Sequence, residues 1–85
     1  PDIYFMSYFV YIIKSLKHAR FYVGMSSDFE KRLQSHNLGL NTSTRNGIPW
    51  IKIWLSNSFD LKHDALVFEK KIKKRGAQRF LDELL

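Results

Sequence analysis

The sequence contains no cysteine, no long apolar run and few acidic residues. Without cysteine the chain can form neither a disulfide framework nor a thiolate metal site, which fits a cytoplasmic protein. No apolar run approaches the ~20 residues needed to span a bilayer, so we expect no membrane segment. The first residues, PDIYFMS, lack the charged start and long apolar core of a signal peptide. These absences argue against secreted disulfide scaffolds and membrane proteins.

The shortage of acids leaves the chain strongly basic. Lysine and arginine number 14 against 8 aspartates and glutamates, a net charge of +6 at pH 7. This balance indicates a polyanionic partner, most simply nucleic acid; the alternative is a soluble protein that is merely basic. Apolar residues make up 45% of the 85 residues, so the chain is globular rather than disordered. We expect one domain over residues 1–85, because this length leaves no room for a second core.

An antiparallel hairpin is predicted near the start of the chain. Two apolar, β-branched and aromatic runs, Tyr8–Ile13 and Phe21–Val23, flank a polar connection, Lys14–Arg20. The connection is too short for a helical crossover between parallel strands. We therefore expect the two runs to pair as neighbouring antiparallel strands.

The predicted register sets two tyrosines side by side. A turn centred between residues 16 and 17 pairs Tyr11 with Tyr22 and Phe9 with Gly24. Directly opposed residues project from the same face of a sheet. Gly24 would then leave open backbone beside Tyr22, where a ligand could approach closely. Two interpretations stay open, a functional site or a cross-strand aromatic pair that stabilises the sheet.

A first helix follows the hairpin. Ser27, with Glu30 three residues later, forms a capping box and predicts a helix that begins at Ser27. The pair Leu38–Gly39 predicts its end. Phe29 and Leu33 define the inward stripe of this helix.

Arg32 and His36 are the candidate functional residues of the first helix. They are i,i+4 neighbours and line one edge of the buried stripe together. An arginine at such an edge is often a surface residue whose stem covers apolar neighbours. A histidine there is often a hydrogen-bonded residue of the core edge. The alternative is that both side chains face a ligand.

A loop and a third strand come next. Gly39–Pro49 is polar and rich in turn formers, so we expect a mobile, solvated loop in which Arg45 is a candidate phosphate contact. Trp50–Leu55 alternates and predicts a strand. One face of that strand would carry Ile51, Ile53 and Leu55, and the other Trp50, Lys52 and Trp54.

A second helix is predicted after Asp60, which can cap it, and Gly76 separates it from a short terminal helix over Ala77–Leu85. The predicted apolar stripe consists of Leu61, Ala65, Phe68 and Ile72. Glu69 is the only acid in a basic run and borders this stripe. One carboxylate at the rim of a sheet can hold Mg²⁺, which keeps most of its waters. The alternative is an ordinary i,i+4 ion pair with Lys73.

The ordered series of these residues resembles the GIY-YIG nuclease domain, and most closely its short stand-alone members. The resemblance covers about Tyr8 to Phe80. It is carried by Val10-Tyr11, Tyr22-Val23-Gly24, Arg32 with His36-Asn37, Gly39, Thr44, Pro49-Trp50, and Glu69 with Ile72-Lys73. It implies an α/β (α+β) fold with a three-stranded antiparallel sheet flanked by helices. Phe9 stands where the first motif normally has a glycine.

The resemblance also implies metal-dependent endonuclease activity, with DNA a better candidate substrate than RNA. Tyr11 or Tyr22 would be the general base or would position the attacking water, and His36 would be an auxiliary proton acceptor. Arg32 would bind phosphoryl oxygens in a two-pronged geometry that lysine cannot reproduce. Glu69 would bind Mg²⁺ or Mn²⁺.

Further contacts with nucleic acid are expected outside these five positions. The candidate contact residues are Gly24, Lys14, Arg45 and Lys73. Because nucleases of the family usually carry a separate DNA-binding domain, a partner protein is a possible source of specificity. The alternative function is a non-catalytic basic nucleic-acid-binding domain that keeps the nuclease fold.

Overall fold

Three strands form one antiparallel sheet with the order β2–β1–β3 in the computed structural model, which describes residues 6–85. The strands are β1 (Phe9–Ser15), β2 (Phe21–Ser26) and β3 (Trp50–Leu55). The helices are α1 (Phe29–Asn37), α2 (Lys62–Arg75) and α3 (Ala77–Glu83), with a 3₁₀ turn at Arg45–Gly47. The predicted sheet flanked by helices is confirmed. Residues 1–5 of the N-terminal stretch PDIYFMS lie outside the described residues.

The hairpin register differs from the prediction by two residues. Tyr11 pairs with Gly24, and Tyr22 pairs with Ile13. The turn is displaced because Ser15 holds it: its Oγ accepts the N–H of His18 at 3.0 Å, and its carbonyl accepts the next N–H at 2.8 Å. A shift of two residues preserves the side-chain alternation of a strand. Both tyrosines therefore remain on the same face, as diagonal rather than direct neighbours.

Gly24 provides space for Tyr11. A Cβ built on Gly24 would collide with the hydroxyl and ring of Tyr11. The predicted open backbone beside Tyr22 is therefore wrong, because the space over the glycine is already filled by a side chain of the same sheet. Because Gly24 has no Cβ, the Tyr11 side chain can lie across β2 in close contact with the backbone of that strand.

Helix α1 begins one or two residues later than predicted. Asp28 is its N-cap, and its carboxylate accepts the N–H of Lys31 at 3.1 Å. Ser26 supports this cap, since its Oγ accepts the N–H of Asp28 at 3.0 Å. The assignment of Ser27 as the cap is wrong because an adjacent, better-placed carboxylate takes that role. The predicted end is confirmed: the helix stops at Asn37, and Gly39 follows with φ of +77°.

The sheet has a different buried cluster on each face. The cluster under α2 and α3 consists of Val10, Ile12, Val23, Ala65 and Ile72. The cluster under α1 consists of Tyr11, Ile13, Phe29 and Trp50. Alternate residues of β1 thus face opposite helices, as the period of a strand requires.

A β-bulge in β3 breaks the predicted alternation. Ile12 pairs with Trp54 and Ile13 with Lys52, so Ile53 is the extra residue. As a result, Trp50 packs in the cluster under α1, and Trp54 packs against the cluster on the opposite face. The prediction that both tryptophans share a face is wrong, because a single inserted residue reverses the side-chain direction beyond it.

Helix α2 starts without a side-chain cap. Its N-cap position is Leu61, and Asp60 makes no capping contact, so that prediction is wrong. Leu61 is also 61% exposed and lies outside the stripe, whereas Ala65 and Ile72 are buried as predicted. Gly76, at φ of +97°, separates α2 from α3, and α3 ends at Glu83. Among residues 6–85, no helix is both long enough and apolar enough to cross a membrane.

Candidate active site

A buried chain of hydrogen bonds joins β1, α1 and the following loop. The Tyr11 hydroxyl lies 2.8 Å from Nε2 of His36, and Nδ1 of His36 lies 2.7 Å from the Thr44 hydroxyl. Tyr11 is 1% exposed, and His36 and Thr44 are both 0% exposed. Polar groups buried this deeply are stable only when they are hydrogen-bonded, and each of these has its partner.

The contacts of Thr44 are compatible with a His36 tautomer that is protonated at Nδ1. The Thr44 hydroxyl can donate to the carbonyl of Asn41, 3.4 Å away. In the tautomer in which this hydroxyl donates to Asn41, it accepts a hydrogen bond from Nδ1–H of His36. Nε2 then presents a lone pair, and the Tyr11 hydroxyl donates to it. The arrangement makes His36 a proton acceptor for Tyr11.

The pKa values of both partners move in the directions that keep this pair neutral. Burial raises the pKa of the Tyr11 phenol, and Tyr22 and Glu69 add to that effect while Arg32 opposes it. Burial also lowers the pKa of His36, and the positive charge of Arg32 lowers it further. At neutral pH the pair is therefore a protonated phenol beside a neutral imidazole.

Tyr22 packs over His36 from β2. Its ring meets the imidazole edge-to-face at 5.0 Å between centroids, and it lies 6.4 Å from the ring of Tyr11. It is less buried than Tyr11. The rings pack together as the structural interpretation expects, and they enclose His36; the functional interpretation stays a prediction.

The loop predicted to be mobile is anchored by α1 and β3. The Asn37 side chain accepts the backbone N–H of Trp50 at 2.7 Å and donates to its carbonyl at 3.0 Å. The indole N–H of Trp50 donates to the carbonyl of Thr44 at 2.8 Å. The expectation of a fully solvated loop is wrong for Thr44, which these contacts hold against His36.

Arg32 is exposed on α1, at the junction of two shallow clefts of about 260 and 270 Å³. The first cleft is also lined by Ser26, Ser27, Asp28, Lys31 and Ser35. The second is lined by Met6, Tyr8, Met25, Ser26, Ser27 and Lys62. The charge of Arg32 acts on both Tyr11 and His36. Arg32 is therefore open to solvent, while its charge still acts on the buried pair of Tyr11 and His36.

Glu69 approaches the site from α2, which packs on the other face of the sheet. Its side chain is 14% exposed, and its Oε1 accepts a hydrogen bond from Nζ of Lys73 at 2.7 Å. The predicted ion pair is thus present. The same carboxylate is close enough to Tyr11 to raise the pKa of that phenol. Its negative charge therefore reaches the tyrosine–histidine pair.

The donor set around Glu69 limits which metal it suits. Within residues 6–85, no three histidine, cysteine or acidic side chains cluster closely enough to hold an ion. Zn²⁺ and Ca²⁺ ordinarily take several protein ligands. A single carboxylate suits Mg²⁺, which keeps most of its water shell and also binds substrate phosphates. Glu69 therefore fits the predicted magnesium ligand in its chemistry.

The expected nucleic-acid contacts are dispersed. Arg45 is exposed and directly follows Thr44, on the site side of the molecule. Lys14 lies on the opposite face from Tyr11, with its Nζ 5.4 Å from the centroid of the Phe21 ring. Lys73 is engaged with Glu69, and Gly24 is buried beneath Tyr11.

Two residues that contribute to the geometry were recognised in the sequence only as members of the series. Thr44 orients His36, and Asn37 fixes the loop to β3. Neither was assigned a role, because their partners lie in other elements. The available signal was that both residues follow Arg32 in the ordered series of motif positions that carries the family resemblance.

Comparison with known proteins agrees with the geometry. A 38% identical relative, the UPF0213 protein YsiG of Lactococcus lactis, aligns over 92% of this chain and 79% of its own length. A UPF0213 protein of Bacillus licheniformis is 30% identical over 91% of this chain and 81% of its own. A mimivirus protein named only "Uncharacterized protein L300" is 32% identical, and the match spans 48% of it. The model of the GIY-YIG catalytic domain matches residues 7–80. The chain belongs to the GIY-YIG family, a family of nucleases.

Proposed function

We propose that this protein is a divalent-metal-dependent endonuclease that hydrolyses phosphodiester bonds, with DNA as the preferred substrate. The observation that carries the proposal is the buried chain from Tyr11 through His36 to Thr44, together with the charge of Arg32 acting on it. A purely structural histidine needs hydrogen-bond partners but does not need a cation beside it. Here the cation lies where an anionic substrate would be bound.

The proton transfer begins from a neutral pair. Because burial raises the pKa of Tyr11, a resting phenolate is not the base. Instead, Tyr11 accepts a proton from the attacking water while its own hydroxyl proton passes to Nε2 of His36. The resulting hydroxide attacks phosphorus as the P–O3′ bond breaks, and the departing 3′ oxygen takes a proton from solvent. His36 ends as an imidazolium whose Nδ1–H stays bound to Thr44. No isolated phenolate forms in the buried site.

Arg32 and Tyr22 act on the phosphoryl group. Arg32 presents two parallel N–H donors to the non-bridging oxygens, where negative charge accumulates in the transition state. The hydroxyl of Tyr22, a residue less buried than Tyr11, orients the water or the phosphate. Arg32 also keeps His36 neutral before substrate binds, since its charge lowers the pKa of that imidazole.

Glu69 is the proposed metal ligand. A divalent ion held by this carboxylate, Mg²⁺ or Mn²⁺, would supply positive charge for the phosphoryl oxygens and the departing 3′ oxygen. Nucleases of this family generally use a divalent metal. In the absence of the metal, Lys73 forms an ion pair with the Glu69 carboxylate. This ion pair limits the repulsion between Glu69 and nucleic acid.

The test is cleavage of linear, single-stranded and branched DNA, and of RNA, during titration with Mg²⁺ or Mn²⁺. Glu69→Gln and Lys73→Gln both break the ion pair, so both should lose the same small stability, about 0.2–1 kcal/mol. Only Glu69→Gln should abolish the metal-dependent rate. Equal losses of cleavage in the two variants would mean that the ion pair, not a metal, explains the importance of Glu69.

A non-catalytic nucleic-acid-binding domain is the second candidate function. The Glu69–Lys73 pair is the observation that favours it, since it neutralises the acid that phosphate would otherwise meet. That function predicts salt-dependent binding, with log K linear in log salt, and no cleavage at any metal concentration. Binding without cleavage across all the substrates above would select it.

A further inference from the structure

A basic groove lies between α2 and α3, outside the candidate active site. It has a volume of about 440 Å³ and is lined by Lys71, Lys74, Arg75 and Arg79. All four side chains are exposed, and no lining residue is acidic. Arg75 donates through Nε to Glu83 at 2.6 Å. A guanidinium has five N–H donors, so this ion pair orients Arg75 and leaves it the capacity to bind a phosphate.

The groove faces away from the edge of α2 that carries Glu69. At 100° per residue, Lys71, Lys74 and Arg75 lie between about 120° and 160° around the helix axis from Glu69. Ile72 is buried against the sheet, and Glu69 and Arg75 border that buried stripe on opposite sides. A straight nucleic-acid segment lies along one side of a helix, so it cannot contact both edges at once.

The walls of the groove are fixed relative to each other. A single residue, Gly76, joins the two helices at φ of +97°; its N–H donates to the carbonyl of Ile72 at 2.8 Å. The N–H of Phe80 donates back to the carbonyl of Gly76 at 3.0 Å. The ring of Phe80 packs edge-to-face on Trp54, 4.9 Å between centroids. The four cations are therefore presented by a rigid corner, which reduces the ordering cost of binding.

We propose that this basic groove binds a second segment of phosphodiester backbone, so that the protein holds two separate segments of a bent or branched nucleic acid. The inference rests on the proposed function for the class of partner. The lining has only lysine and arginine, the residues that contact phosphate, and no aromatic or amide side chain to read a base. Phosphate contacts of this kind position the nucleic acid and carry no sequence information.

Photo-crosslinking tests the placement directly. Because the chain has no cysteine, an aryl azide attaches at one position in each of Lys74→Cys, Ser27→Cys and Lys17→Cys. These report the groove, the Arg32 clefts and the exposed β1–β2 turn, respectively. On a branched duplex without metal, the first two labels should react with nucleotides on different arms, and the third should react little.

Two outcomes would overturn the proposal. Crosslinking from position 74 no stronger than that from position 17 would mean that the groove is only a solvated basic surface. Crosslinks from positions 74 and 27 to the same short run of nucleotides would mean that one segment contacts both. If no variant or wild-type protein binds nucleic acid, the proposed function itself fails, which is a distinguishable result.

A charge-matched comparison gives a second readout. Lys74→Gln/Arg79→Gln removes two cations from the groove, and Lys17→Gln/Lys52→Gln removes two exposed cations elsewhere. On branched DNA, the groove variant should make the slope of log K against log salt less steep by about 2. It should also weaken low-salt binding about tenfold. The control should change both much less. Equal changes in the two variants would show a general charge effect and overturn the proposal.

Discussion

The face of the sheet under α2 and the face under α1 are both packed by helices, yet they bury different chemistry. Under α2 the buried side chains are aliphatic: Val10, Ile12, Val23, Ala65 and Ile72. Under α1 the buried set includes the polar groups of Tyr11, His36 and Thr44. The first face stabilises by removing apolar surface from water, at roughly 25 cal/mol per Å². The second must satisfy every polar atom it buries, and does so with hydrogen bonds that also align a proton acceptor.

This comparison separates stability from activity within one small sheet. Changes under α2 should affect unfolding and leave the chemistry of folded molecules intact. Changes to hydroxyl and charged groups under α1 should lower the rate per folded molecule, in addition to any cost in stability. Substitutions on the two faces, and the pH dependence of stability, test that separation.

Tyr11→Phe should lower the cleavage rate by about 10²–10⁴, the usual contribution of a general acid–base group. The ring and its packing against Phe29 remain, but Nε2 of His36 loses its buried partner, so stability should fall by about 1–3 kcal/mol and the rate is compared per folded molecule. Tyr22→Phe is the matched variant: it should lose cleavage but keep the acid limb of the pH–rate profile, because it does not touch Nε2 of His36. Full activity in Tyr11→Phe would refute the proton transfer and assign the phenol to packing.

Arg32→Ala should lower cleavage by about 10²–10³, as expected for loss of a preorganised charge donor. Its side chain is exposed, so the stability change should stay within about 1 kcal/mol. Lys31→Ala, which removes a neighbouring cation from the same cleft, is the control and should cleave nearly normally. NMR titration should also show a rise in the pKa of His36 in Arg32→Ala, since the arginine lowers it.

Ile72→Ala should destabilise the protein by about 2–5 kcal/mol in urea unfolding, because it opens a cavity in the aliphatic cluster. Below the unfolding transition, the rate per folded molecule should match wild type. A large loss of rate in folded Ile72→Ala would mean that the two faces are coupled, and would break the comparison.

Thr44→Val should cost about 1–3 kcal/mol, because it leaves the Nδ1–H of His36 buried without an acceptor. Thr44→Ser keeps the hydroxyl and should restore most of both stability and rate. If Thr44 only fills space, Thr44→Val should instead keep more stability and rate than Thr44→Ser, because valine conserves the shape of threonine better than serine does. The acid limb of the pH–rate profile should shift in the valine variant only.

The smallest effect is a pH dependence of stability from His36. Its folded pKa lies below the ordinary value near 6.5, so the unfolded chain binds more protons as pH falls through that range. The stabilisation is complete above about pH 6.5 and is lost as pH falls toward the folded pKa, with a slope of at most about 1.4 kcal/mol per pH unit. Urea unfolding across this range should show the slope in wild type and a smaller one in His36→Gln.

Much of the fold was predictable because strand and helix periods are local. The three strands and the helices follow from alternation and stripes, and a register error of two residues left both tyrosines on the correct face. The first residue of α1 was harder to predict. Ser26, Ser27 and Asp28 are all residue types that cap helices, and only the tertiary geometry selects Asp28. The bulge at Ile53 has no local signal, so the second half of β3 was assigned to the wrong face.

The candidate site was only partly accessible from sequence. The resemblance brought Tyr11, Tyr22, Arg32 and His36 together as a set, and the structure puts the tyrosines and His36 in contact. It did not indicate that Thr44 is buried, because a polar loop and an anchored loop have the same composition. The hydrogen bonds of Asn37 and Trp50 that make the difference join residues 13 apart.

Gly24 and Tyr11 constrain each other through space rather than through chemistry. The phenol at position 11 occupies the volume that any side chain at position 24 would need. A side chain at position 24 is therefore compatible with the fold only if Tyr11 moves or is replaced by a smaller residue. A methyl group added at position 24 would collide with the Tyr11 hydroxyl and push it away from His36.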